Sequence, residues 1–182
     1  MLPNAGPPRG PSLLTVPAGD NRERLVCPDC GFIEYENPKI VTGVVCTWED
    51  KFLLCRRAIE PRRTYWTLPA GYLELNETTS EGAAREAWEE AFAQVEIDCL
   101  LSLYNIPRIS QVQFFYRGTL LNLDVQAGVE SLEVGLFTWA EIPWDQLAFP
   151  TVHWALQDYA AMRGQTNFAP RTNPPGNYPF SV

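Results

Sequence analysis

Gly71-Tyr72-Leu73-Glu74-Leu75-Asn76-Glu77-Thr78-Thr79-Ser80-Glu81-Gly82-Ala83-Ala84-Arg85-Glu86-Ala87-Trp88-Glu89-Glu90-Ala91-Phe92-Ala93 is the stretch on which the reading of this chain turns. Thr78 and Glu81 stand three apart, the spacing of a capping box at a helix start. Ala83, Ala84 and Ala87 are strong helix formers behind it. At about 100° per residue, Glu86, Glu89 and Glu90 fall on one arc. Ala84, Ala87, Trp88 and Ala91 centre roughly opposite, so the pattern predicts a buried Trp88 and outward carboxylates. Like charges at these spacings cost a few tenths of a kcal/mol per pair, and Arg85 is the one cation in the helix that offsets them. Two readings follow: a solvated acidic face, or a rigid row of oxygen donors for a hard divalent cation.

Outward from this helix the chain alternates between strand and turn. Lys39 to Trp48 is rich in Val, Ile and Thr and reads as a buried strand. Glu49-Asp50-Lys51 turns it into Phe52 to Arg56, giving a hairpin. Trp66 to Gly71 is a short strand breaking into a loop. Val95 to Tyr104, Gln111 to Leu121 and Leu136 to Trp139 follow as strands. Pro150 and Thr151 open a second helix to about Arg163, with Ala155, Leu156, Tyr159 and Met162 on one side. Mixed strands with few helices indicate a layered α/β or α+β domain. Residues 1–19, with five prolines and three glycines, read as a tail. Cys27-Pro28-Asp29-Cys30-Gly31 is a tight knuckle. Residues 164–182 read as irregular.

Composition narrows the function classes. The 182 residues are 46% hydrophobic, enough for a real core, and carry a net charge of −8 with a pI near 4.7. That acidity disfavours nucleic acid and anionic membrane surfaces as partners. No apolar run approaches the roughly 18–20 residues of a spanning helix, and no signal core opens the chain, so a cytoplasmic location is expected. Five cysteines argue against a disulfide scaffold. A lone histidine, His153, excludes a His-rich metal site.

The full spacing, Gly71, then Glu77, then Arg85-Glu86 and Glu89-Glu90, resembles the Nudix box G-x5-E-x7-R-E-U-x-E-E-x-G-U, where U is bulky and apolar. All six charged or glycine positions up to the second Glu of the pair match. The chain departs at the late glycine, which is Phe92, and at the apolar positions, which are Ala87 and Ala93. That glycine lies at the helix exit, so an altered helix end with intact chemistry is expected. The likeness extends to Asn37-Pro38-Lys39-Ile40-Val41, to Leu53-Leu54-Cys55-Arg56-Arg57, to Trp66 through Glu74, to Glu130 through Phe137 and to Glu141-Ile142-Pro143-Trp144. It covers roughly residues 20–163 and is nearest to Nudix hydrolases that carry a cysteine knuckle and act on FAD or ADP-ribose.

The resemblance implies an α/β/α sandwich with a mixed sheet and a small N-terminal knuckle. It places a tail and incomplete zinc-ribbon-like knuckle at 1–38, the hydrolase domain at 39–163 and a tail at 164–182. It implies Mg²⁺ or Mn²⁺ on Glu86 and Glu90, with the Ala70 carbonyl completing the shell. Glu89 is a further ligand or the partner of Arg85, and Glu77 either a ligand or the residue that holds the loop to the helix. Glu74 is an outer candidate. Water would attack one phosphorus of a nucleoside diphosphate linked to another moiety, with Glu130 or Glu133 as base. Of Arg56 and Arg57, strand alternation turns one inward toward phosphate. Tyr35, Tyr65, Trp66, Phe114 and Phe149 are available for stacking, with Tyr35 and Phe149 foremost because they lie in predicted loops.

FAD or ADP-ribose, cleaved to release AMP, is the substrate so implied. An NADH pyrophosphatase and a non-catalytic nucleotide sensor are the alternatives. The stretch 103–111 lacks the Ser-Gln-Pro-Trp-Pro-Phe-Pro run of the NADH enzymes. Cys27 and Cys30 are half of a four-ligand zinc ribbon, and Zn²⁺ is not expected. A homodimer completing the pocket is the expected assembly.

Overall fold

The structure, a computed structural model, describes residues 10–176; the outer parts of the two predicted tails lie outside the described residues. The chain divides into two compact units, with the boundary between Pro38 and Lys39. In the first, β1 (Leu13–Thr15), β2 (Arg24–Val26) and β3 (Ile33–Glu34) form an antiparallel sheet in that order. Leu13–Thr15 thus corrects the reading of residues 1–19 as a tail: local proline content hid a strand that β2 pairs. The knuckle closes through the Gly31 N–H donating to the Cys27 carbonyl at 2.9 Å, with Gly31 at φ +73. Asp20 accepts the Asn21 N–H at 2.7 Å and Arg24 Nε at 3.0 Å. Cys27 is buried, Cys30 is exposed, and both thiols are free.

The second unit is a seven-stranded mixed sheet between two helices. Its strands are β4 (Lys39–Trp48), β5 (Lys51–Arg57), β6 (Trp66–Thr67), β7 (Ala70–Tyr72), β8 (Val95–Ile106), β9 (Gln111–Leu120) and β10 (Ser131–Thr138). The order is β10-β5-β4-β9-β8, with β6 on β5 and β7 on β4. β4 runs parallel to β9, and the other ladders of this sheet are antiparallel. The helices are α1 (Thr79–Ala91) and α2 (Pro150–Met162).

Strand alternation sorts the core into two layers. Val44, Cys46, Leu53 and Cys55 pack with Ala83, Ala87 and Ala91 of α1. Their neighbours Val45, Phe52 and Leu54 pack with Val152, Ala155 and Leu156 of α2. The alanines of α1 let the helix backbone lie close to the sheet. Along β8, Arg171 exchanges backbone bonds with Leu101 and Leu103, so part of the predicted irregular terminus is tied to that strand.

Two local expectations are corrected. The last strand begins at Ser131 rather than Leu136; Glu133 and Gly135 weaken its pattern, but pairing with β5 extends it. The helix face is also rotated from the expected one. Gly82, Ala83, Glu86, Ala87, Glu90 and Ala91 are buried, whereas Trp88 is 47% exposed. Side-chain hydropathy alone put Trp88 inside; packing instead turns the small residues and two carboxylates inward.

Candidate functional site

Glu86 and Glu90 are one turn apart on α1, 8% and 6% exposed. The capping box fixes where that helix starts: Thr78 Oγ1 accepts the Glu81 N–H, and the Glu81 carboxylate accepts the Thr78 N–H. The loop before it is anchored by Glu77, which takes both Nε and Nη2 of Arg85 and the Glu74 N–H at 2.7 Å. Arg85 spends its remaining donors on Glu86 at 2.7 Å, Glu89 at 2.8 Å and the Tyr72 carbonyl at 3.0 Å. The guanidinium is therefore a clamp between loop and helix, and its proton is held more tightly than usual by Glu77.

Close backbone approach brings β7 onto these carboxylates. A Cβ at Gly71 would stand 2.4 Å from Glu86 Oε1 and Oε2. The Ala70 N–H donates to Glu90 Oε2 at 3.3 Å. Burial raises the Glu90 carboxyl to about 8, with the charge on Glu86 adding to it, and burial also raises Glu86. A side chain pushed this way holds an anion that the protein solvates poorly. Arg57 is the cation that counters Glu90, and Arg85 counters Glu86.

Glu130 enters from the segment between β9 and β10, which hangs on the end of α1. The Gln126 N–H donates to Ala91 O at 2.9 Å, and the Gly128 N–H to Glu90 O at 3.0 Å. A Cβ at Gly128 would lie 1.8 Å from Glu89 O, so only glycine permits the contact. The charge on Glu130 is felt at both Glu86 and Glu90. Glu133 is placed differently: it lies within β10 and pairs with Arg56 at 3.4 Å. The inward member of the arginine pair is thus Arg57, whose guanidinium lies 5.1 Å from the Phe149 ring centroid.

These residues line one cleft of about 1580 Å³. Ala70, Gly71, Glu74, Arg57, Glu86, Glu89, Glu90, Glu130 and Phe149 all face it, joined by Arg62, Tyr65, Trp144 and His153. Glu77, Arg56, Glu133 and Phe114 are not among its lining residues. Trp66 is a core residue against Phe137 at 4.9 Å. Tyr35 belongs to the N-terminal unit, where Arg24 lies 5.2 Å from its ring. Trp88, Trp144 and His153 were missed as site residues. For Trp88 the departure at Phe92 was the available signal; Trp144 and His153 come together only through the fold, with rings 4.9 Å apart.

The donor set fits a hard divalent ion that keeps waters and takes further oxygens from phosphate: two buried carboxylates and the adjacent β7 backbone. Among the described residues no three His, Cys, Asp or Glu side chains converge to hold a metal by themselves. The knuckle offers two thiols where a structural zinc takes four ligands, so it does not fit that ion within one chain. No helix among the described residues is long and apolar enough to cross a membrane.

Against known proteins, the family pattern described as NUDIX domain matches residues 37–155, and that described as Nudix N-terminal matches 10–36. A crystal structure of a NUDIX hydrolase from Nitrosomonas europaea is 49% identical, with a TM-score of 0.83 over 88% of this chain and 93% of that one. A MutT-like protein of Streptomyces ambofaciens is 45% identical over 64 residues, 35% of this chain and 40% of its own length. An ADP-ribose pyrophosphatase of Methanocaldococcus jannaschii is 26% identical over 119 residues, 63% of this chain and 69% of its own length. The chain therefore spans well under half of the Streptomyces relative.

Proposed function

The chain belongs to the Nudix domain family, and on that premise we propose that it hydrolyses the diphosphate bond of an ADP-linked molecule, ADP-ribose or FAD, releasing AMP. The observation that carries this reading is the buried pair Glu86 and Glu90 in the wall of a cleft that also holds Glu130 and Arg57. The similarity to an ADP-ribose pyrophosphatase over 63% of the chain supports the substrate class.

Glu86 and Glu90 would hold Mg²⁺ or Mn²⁺, with the Ala70 backbone beside them. Bound there, the ion would neutralise phosphate oxygens and acidify the attacking water. The remaining steps are assigned to side chains of this chain. Arg57 binds a phosphate oxygen and offsets charge on the diphosphate. Glu130 takes the proton from the water that attacks phosphorus. The bond from that phosphorus to the bridging oxygen breaks, giving AMP and the phosphate ester of the second half. Phe149 offers a ring face to adenine, as aromatic walls do at nucleotide sites. Glu77 and Arg85 act as positioning residues, since their atoms are spent on each other and on the loop. Glu89, 54% exposed at its side chain, pairs with Arg85 through Oε2.

Incubation with ADP-ribose, FAD and NADH, each with Mg²⁺ or Mn²⁺, and chromatography for AMP test the reading. AMP from ADP-ribose or FAD that stops with EDTA and resumes with metal is the expected result. Absence of AMP from all three, with the protein folded by circular dichroism, overturns it.

A further inference from the structure

α1 breaks the ordinary rule for a helix on a sheet: two of its carboxylates are inside, and its largest apolar residue is outside. Trp88 is 47% exposed and Phe92 38% exposed, with their rings edge to face at 5.4 Å. Both line the cleft that holds Glu86 and Glu90, and Val129, 96% exposed, lines it beside Glu130. Trp88 and Phe92 are one turn apart on the same helix as the carboxylates, so they are fixed relative to them.

Phe92 is the more telling of the two. It is the C-cap of α1, at φ 48 and ψ 28; its N–H donates to Trp88 O at 2.7 Å, and the Ala93 N–H donates to Ala87 O at 3.1 Å. This left-handed conformation is one that glycine adopts freely and a side chain bears at a cost. The helix end keeps the geometry of a glycine while carrying a phenyl ring into the cleft. Strain of this kind persists only where the surrounding structure fixes it, and it clusters at ligand sites. The cost is compounded by exposure of an indole and a valine to water beside it.

The cleft that holds Glu86 and Glu90 carries two apolar groups in its wall. One is built from Phe149 and Arg57, the other from Trp88, Phe92 and Val129. An ADP-linked substrate has two halves, and only one of them is adenosine. We propose that Trp88 and Phe92 form a stacking site for a planar aromatic ring on the second half of the substrate, which makes a flavin-type dinucleotide a better ligand than ADP-ribose. This rests on the hydrolase reading for the placement of the diphosphate, while the stacking itself is a matter of binding.

The test is therefore equilibrium binding. Isothermal calorimetry with FAD and with ADP-ribose, in metal-free buffer, is run on the wild type, Trp88→Ala and Phe92→Gly. The ratio of the two affinities is the readout, and AMP release is followed in separate incubations with Mg²⁺. Stacking on one aromatic ring is worth about a tenfold change or more, so each variant should lower the preference for FAD by about that factor. Flavin fluorescence, quenched on the wild type, should recover in Trp88→Ala. Phe92→Gly relieves the left-handed strain, so its melting temperature should not fall, and lost binding cannot be put down to unfolding.

An unchanged ratio in both variants overturns the inference. So does an equal loss for both ligands, which would place adenine on these rings. So does a drop in particle mass by light scattering in either variant, which would assign the surface to a second copy of the chain. If the wild type binds FAD through Trp88 yet releases no AMP, the hydrolase reading fails and the stacking site stands. If it binds neither ligand, the stacking site falls, and if it also releases no AMP with Mg²⁺, the hydrolase reading falls with it.

Discussion

α1 and α2 are both 13 residues long and pack on opposite faces of one sheet, yet they bury opposite kinds of side chain. α2 behaves as hydropathy dictates: Val152, Trp154, Ala155 and Leu156 are inside, and Trp154 meets Tyr104 edge to face at 5.4 Å. Its start has no side-chain cap and relies on Pro150 at the first position. α1 has a complete capping box and a four-way arginine clamp, and with them it holds Glu86 and Glu90 inside and Trp88 outside. The difference teaches that local devices fix the position of a helix well enough for its buried face to be given over to charge.

The largest break of this contrast is chemical. Glu90→Gln keeps the shape of the side chain but removes half of the buried charge that would bind metal. Turnover of ADP-ribose or FAD should fall by about a thousandfold or more, the several kcal/mol that a metal-assisted step supplies. Steady-state kinetics at saturating Mg²⁺ measure it, and activity within a few-fold of wild type would remove Glu90 from the metal site. A change on the outer side of α2, Ala160→Ser at an exposed position, should leave turnover within twofold.

Next come the two tryptophans. Trp154→Ala empties a buried site and should cost about 3–5 kcal/mol of stability. Trp88→Ala, on the outer side of α1, should change stability by no more than about 0.5–1 kcal/mol. Urea titrations compare them directly; equal losses would return Trp88 to the core.

The third contrast is with pH. The folded-state carboxyl of Glu90 is raised to about 8 from an ordinary 4.5. Between those values the folded chain binds the proton more tightly than the unfolded chain. Its contribution to stability is therefore full below about 4.5 and is lost as pH rises through 8. Glu86 shifts in the same direction. Glu77, Glu81, Glu141 and Asp20 are lowered, and their stabilising effect is lost only in more acid solution. From pH 5.5 to 7.5 the metal-free protein should lose about 2–3 kcal/mol. Glu90→Gln should flatten that slope, and an unaltered slope in the variant would contradict it.

Sequence and structure agree where the determinants are local. Thr78 and Glu81 specify the start of α1 within four residues, and Lys39–Trp48 carries enough Val, Ile and Thr to read as a strand by itself. Side-chain hydropathy misplaces the face of α1 because it says nothing of Gly71 and the Ala70 N–H, which come up against Glu86 and Glu90 from another strand. Alternation along β5 showed that Arg56 and Arg57 diverge, but not which one meets the cleft. Glu130 and Glu133 were equivalent in sequence. They are separated by two backbone bonds from residues 126 and 128 to the end of α1, contacts that span some 35 residues.

The smallest predicted effect lies at the end of α1 and concerns the sign of a substitution. Phe92 caps the helix in the left-handed region at φ 48, whereas Arg163, at the end of α2, has φ −56 and bears no such strain. Phe92→Gly removes the strain, worth about 1–2 kcal/mol for a side chain in this region. It also removes the edge-to-face contact with Trp88, worth about 0.5–1.5 kcal/mol when well buried. Here both rings are more than a third exposed, so the contact should sit at the low end. The added freedom of glycine in the unfolded chain takes back part of the gain. The strain term wins by about 0.5–1 kcal/mol, a rise of about 1–4 °C in melting temperature for a chain of this size. Scanning calorimetry of the metal-free proteins resolves that shift. A fall of similar size would mean that the ring pair contributes more to the fold than its exposure allows, and Trp88 and Phe92 would then belong with the tryptophan of α2 as packing residues.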